Sequence, residues 1–70
     1  MKQFLLTKNY ITITQFLKAN NYIQSGGESK YFLSEYLVLV NEITCQEKGK
    51  KLYANDIIRV LNDEYILKND

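Results

Sequence analysis

The sequence predicts an α+β domain, on three observations. Two helix-start signals, Thr12-Ile13-Thr14-Gln15 and Ser25-Gly26-Gly27-Glu28, each precede apolar residues spaced three and four apart. Further on, the apolar residues fall into short β-branched runs, Leu37-Val38-Leu39-Val40 and Ile57-Ile58-Arg59-Val60. Asn-containing turn signals separate those runs, at Asn41-Glu42, Asn55-Asp56 and Asn62-Asp63. Two short packed helices followed by a small antiparallel sheet is the expected order. No proline, repeat or low-complexity stretch interrupts the 70 residues, so one domain over 1–70 is expected.

Residues 3–7 are apolar and β-branched enough for a first strand. Thr12 and Gln15 form a capping box, and Ile13, Phe16 and Leu17 give the helix starting there one buried face. Asn20-Asn21 ends it, since Asn accepts the left-handed conformation at a helix terminus, so the helix covers 12–20. Ser25 and Glu28 repeat the box, and a second helix over 26–35 packs through Ser29, Phe32, Leu33 and Tyr36. Its other face carries Gly27, Lys30, Tyr31 and Ser34, and the small Ser29 implies close approach to the first helix. A strand over 37–40 turns at Asn41-Glu42 into 43–45. Residues 46–51 read as a polar loop, 57–60 as a strand and 64–67 as the last strand.

Composition removes several classes of function. With no histidine, the usual general base, the commonest zinc ligand and every Ser-His or Cys-His pair are missing. The single cysteine, Cys45, makes neither an internal disulfide nor a metal site and is expected to pack as a small apolar side chain. The glutamates are scattered and no phosphate-cradling glycine motif is present. The expectation is therefore no enzyme, no catalytic residue, no metal, no cofactor and no small-molecule substrate. No apolar run approaches the ~20 residues of a membrane span, and the apolar start is too short for a secretory signal, so a cytoplasmic protein is expected. The net charge of +1 hides a segregation. Residues 1–24 carry lysines and no acid, and Lys48, Lys50, Lys51 and Arg59 face Asp56 alone, which permits a basic face.

Particular residues go further. Phe16-Leu17-Lys18, the Ser25-to-Leu33 helix, Val38-Leu39-Val40-Asn41 and Asn55-Asp56-Ile57-Ile58 together resemble the S-four-type RNA-binding domain, the alpha-L motif, with its core at about 11–60. The text Gln24-Ser25-Gly26-Gly27, Lys30, Phe32-Leu33-Ser34-Glu35 and Lys48-Gly49-Lys50-Lys51-Leu52-Tyr53 is most similar to stand-alone bacterial members of the YaaA/YbcJ type. Three positions depart from the broader pattern. Thr12-Ile13-Thr14 replaces a common Arg-Leu-Asp, Asn55 replaces the Gly of a Gly-Asp turn, and Glu42 stands where Gly is frequent.

The resemblance implies a binder of structured RNA, ribosomal or transfer RNA, recognised through backbone and shape, with a ribosomal particle as the larger assembly. The residues expected to touch RNA are Lys18, Gln24, Ser25, Gly26, Gly27, Lys30, Tyr31, Lys48, Lys50 and Lys51. A helix N-terminus offers free amides and partial positive charge, and glycine lets a phosphate come close. The plainer reading of Gly26-Gly27, that it eases a sharp turn, stands beside this one. The lysines of 48–51 either follow phosphates or merely solvate a loop, and Tyr31 either stacks on a base or lies over its own helix. Two other classes remain: a protein-interaction module, marked by flat salt dependence of RNA binding, and an accessory RNA-binding subunit of an RNA-modifying enzyme.

Overall fold

A computed structural model describes residues 1–69; Asp70, the last residue of the expected domain, lies outside the described residues. The chain forms strands β1 (Lys2–Leu6) and β2 (Ile11–Thr12), helix α1 (Ile13–Ala19), a 3-10 turn (Gly26–Glu28) and helix α2 (Ser29–Glu35). Strands β3 (Val38–Val40), β4 (Ile43–Thr44), β5 (Lys51–Leu52), β6 (Ile57–Val60) and β7 (Asp63–Asn69) follow. The α+β class holds. No helix among the described residues is long and apolar enough to cross a membrane.

The helix-then-antiparallel-sheet order needs correction. The main sheet has the order β1-β7-β6-β3-β4, and β1, which precedes both helices, pairs parallel with the final strand, Lys2 beside Tyr65 and Leu6 beside Asn69. Strand propensity in β1 is local and readable, but its partner lies at the far end of the chain, where no local pattern points. The polar loop expected over 46–51 ends early. Lys51–Leu52 is strand β5, paired antiparallel with β2 through Ile11↔Leu52 and Thr12↔Lys51.

One face of the sheet is covered. Phe4, Leu6, Val38, Val40, Ile58, Val60, Tyr65 and Leu67 alternate inward along their strands, all buried except the half-buried Phe4. α1 lays Phe16 onto them edge-on, 5.1 Å from the ring centres of both Phe4 and Tyr65. Ile13, Phe16 and Leu17 are fully buried, as their spacing predicts. In α2, Phe32, Leu33 and Ser29 are buried, and the Ser29 hydroxyl donates to the Gly26 carbonyl at 2.9 Å. Tyr36 is the exception on the expected inner face. It leaves the helix in extended conformation and remains 45% exposed, its ring tilted against Phe32.

Polar side chains hold the turns. Asn41, Glu42 and Asn55 all take positive φ (51°, 72° and 75°), so Asn55 does replace glycine as expected and Glu42 occupies a glycine-type position. Asn41 ties two turns together: its amide donates to Asp56 at 3.0 Å, and its carbonyl oxygen accepts from the Ile57 amide at 2.9 Å. Between the helices, Tyr22 reaches across to β7, donating to Asp63 at 2.9 Å. Its oxygen lies 2.7 Å from the Tyr65 hydroxyl, which must then be the donor of that pair.

Candidate nucleic-acid interface

The start of α1 organises the site. Thr12 and Gln15 exchange the two hydrogen bonds of a capping box, at 3.2 and 3.0 Å. The next unpaired amide, that of Ile13, donates to the Lys50 carbonyl at 2.8 Å, and the Thr14 hydroxyl donates to the Lys48 carbonyl at 2.7 Å. A tight turn closed by the Lys50 amide on the Glu47 carbonyl thus sits on the helix N-terminus with its backbone pinned. The side chains of Lys48 and Lys50 remain exposed. On the other side of Thr14 lies Gly26: a Cβ built there would meet the Thr14 methyl at 3.7 Å. Gly26 and the lysine turn, more than twenty residues apart in sequence, therefore flank one threonine.

Lys18 is exposed one helical turn after Thr14 on the same strip of α1, and Lys30 is exposed one turn after Gly27. Among the described residues the one ion pair is Lys2–Asp63, so no carboxylate neutralises Lys18, Lys30, Lys48, Lys50 or Lys51. Neither glycine of the Gly26-Gly27 pair has positive φ, and a Cβ at Gly27 would meet only the Ser25 hydroxyl at 3.9 Å. Backbone conformation alone does not demand glycine here.

The amides of this start are shared unequally. The Glu28 carboxylate turns back to accept from the amides of Gln24 and Ser25, at 3.1 and 3.0 Å, and from the Ser25 hydroxyl at 3.3 Å. Those two donors are occupied by an acid of the chain itself. The amides of Gly26 and Gly27, first in the 3-10 turn, have no intrahelical acceptor, and both residues are exposed.

Two expected residues stand elsewhere. Tyr31, 66% exposed, borders a groove shared with Asn21, Tyr36 and Leu61 that no lysine lines. Lys51 belongs to β5, its ammonium 4.9 Å from the ring centre of Tyr10. Tyr10 in turn lies 6.0 Å from Tyr53. Thr14, Tyr10 and Tyr53 were not among the residues expected from the sequence. The β2–β5 pairing brings the tyrosines together, and their spacing in the chain carries no signal of it. Cys45 is buried as expected, and burial pushes its thiol above the ordinary range, away from reactivity. Among the described residues no group of three or more His, Cys, Asp or Glu could hold a metal ion.

The S4 domain family matches residues 4–68, nearly the whole chain. The chain belongs to the S4 domain family. The match extends beyond the expected core on both sides, so this S4 domain includes β1 and β7 as well as the helices. It is similar to a protein of Bacillus subtilis (strain 168) named probable ribosome maturation protein RlbA. The two are 50% identical over 50 residues, which is 71% of this chain and 70% of that relative.

Proposed function

We propose that this S4 domain is a non-catalytic, cytoplasmic RNA-binding protein that recognises structured ribosomal or transfer RNA mainly through backbone and shape, as an alpha-L motif. One observation carries the reading: Gly26 and the Lys48–Lys50 turn flank Thr14, with five exposed lysines free of carboxylate partners among the described residues. The amides of Gly26 and Gly27 receive one phosphate, Gln24 and Ser25 shape that start, and Lys30 and Lys18 extend the positive strip on either side. Lys48 and Lys50 follow the next phosphates, and Lys51, on the adjoining strand β5, carries the positive charge on beyond the turn. In A-form RNA the deep, narrow major groove excludes side chains, so such contacts fall on phosphates and 2′-hydroxyls. The name of the Bacillus relative points to a ribosomal particle as the setting.

The salt dependence of binding to a ribosomal RNA helix tests this. With about four phosphates neutralised, log K should fall against log salt with a slope of roughly −3. Replacing Lys50 and Lys51 together by Ala should flatten the slope and weaken all RNA sequences alike. A folded double variant that binds as tightly as the parent at ~0.15 M salt would remove the turn from the site.

A second reading, a protein-interaction module, is favoured by the groove between α2 and the β6–β7 turn, where Tyr31, Tyr36 and Leu61 are all exposed. Association with ribosomal particles that is insensitive to salt and to the lysine substitutions would favour it.

A further inference from the structure

The β2–β5 ribbon buries Leu52 fully and Ile11 partly, and turns its alternate positions outward. Its register, Ile11↔Leu52 and Thr12↔Lys51, sets Tyr10 opposite Tyr53 one step beyond the ladder, with Lys51 on the same outer face. The two rings are tilted by 51° with centres 6.0 Å apart, and they are 41% and 49% exposed. The Lys51 ammonium stands 4.9 Å above the Tyr10 ring. This aromatic pair is continuous with the lysine turn, because the Lys50 carbonyl just before β5 is bound to the start of α1. Beside Tyr10 opens a groove with Leu6 and Ile11 in its floor and Thr7, Lys8 and Gln15 at its rim.

We propose that Tyr10 and Tyr53 form a stacking platform for an unpaired base of the bound RNA, with Lys51 taking the phosphate of that nucleotide. Two half-exposed rings beside a cation offer the two things a single-stranded nucleotide needs, a π-face and a positive charge. The Lys51 stem is flexible, so its ammonium can swing from the ring to an arriving phosphate and leave the ring face to a base. Lys8, on the groove rim, stands where the chain of an overhang would continue. The paired part of the RNA lies along the lysine turn and Gly26-Gly27, and the ribbon reads where pairing stops. The inference rests on the RNA-binding reading above and adds a preference to it, for a helix flanked by unpaired nucleotides.

The test compares two probes, a blunt RNA duplex and the same duplex with a three-nucleotide 3′ overhang carrying 2-aminopurine. The parent should bind the overhang duplex at least roughly fivefold more tightly, the low end of what one stacked base contributes, and should quench the 2-aminopurine. Tyr10→Leu/Tyr53→Leu should bring the affinity ratio to about one and abolish quenching, whereas Tyr10→Phe/Tyr53→Phe should keep both. Equal affinity of the parent for the two probes, unquenched 2-aminopurine, or a preference that survives in the leucine variant would overturn the platform while leaving the RNA-binding reading intact. Loss of the preference in the phenylalanine variant would overturn stacking as its cause. Failure of the parent to bind either probe would overturn both readings together. If the leucine variant does not fold, quenching in the parent and the ratio in the phenylalanine variant still decide.

Discussion

Glu28 and Gly27 are neighbours with opposed effects on an approaching anion. Glu28 stabilises the start of the second helical segment by accepting from two amides and a hydroxyl, and it brings a negative charge to the same place. Gly27 leaves the approach open, and its φ is one that alanine tolerates. Gly27→Ala should therefore keep or raise stability, by up to ~1 kcal/mol, while reducing RNA affinity per folded molecule. Lys30→Ala should also reduce affinity, and the two losses should fall short of additive if, as proposed, both residues act on one phosphate. Thermal melts beside binding titrations separate the effects; a folded Gly27→Ala protein with parental affinity would show that the glycine serves the turn alone. Tyr22 is the other residue whose chemistry is set by its surroundings. Burial, then the hydrogen bonds to Tyr65 and Asp63, push its hydroxyl well above the ordinary tyrosine range. A folded-state value above the unfolded one means its contribution is complete below pH ~10 and lost as the pH rises beyond it. Urea midpoints taken across that window should fall steeply for the parent and less steeply for Tyr22→Phe, which should already be weaker at neutral pH by about 1–3 kcal/mol.

Among the elements, α1 has a second task besides filling the core, since its first turn anchors the backbone of the lysine turn through Ile13 and Thr14. Thr14→Val keeps the shape and removes the bond to the Lys48 carbonyl. Stability should fall by only about 0.5–1.5 kcal/mol, while amide exchange at 47–50 quickens and RNA affinity drops. Unchanged exchange in that turn would mean the hydroxyl does not hold it. Both helices were legible because their evidence is local: Thr12 with Gln15, Ser25 with Glu28, and apolar residues one turn apart. β3 and β6 were legible as β-branched runs between Asn turns. β5 was not, because Lys51-Leu52 is too short to show an alternation and owes its strand conformation to β2. For the same reason the lysines and glycines could be singled out one by one, whereas their common neighbour Thr14 and the Tyr10–Tyr53 pair exist only once distant segments meet.

At the scale of the whole molecule, a single layer of helices covers one face of the sheet, and Phe16 sits where helix and sheet meet, fully buried between Phe4 and Tyr65. Phe16→Ala should cost about 3–5 kcal/mol, comparable to the whole stability of a domain this small, on the order of 4–10 kcal/mol. A melting temperature near that of the parent would contradict the packing described. The parallel pairing of β1 with β7 has a consequence in time. Lys2 to Leu6 are made early and their partners, Tyr65 to Asn69, at the end of the chain. At ~5–20 residues per second, β1 leaves the peptidyl-transferase centre about 3–13 s before the strand that completes it. From its emergence until β7 has also cleared the ribosome, β1 is an unpaired strand edge with Leu5 and Leu6 on it, open to any other extended chain nearby. β1 can therefore join the sheet only after β7 has been made and has cleared the ribosome, which puts the β1–β7 pairing among the last steps of folding.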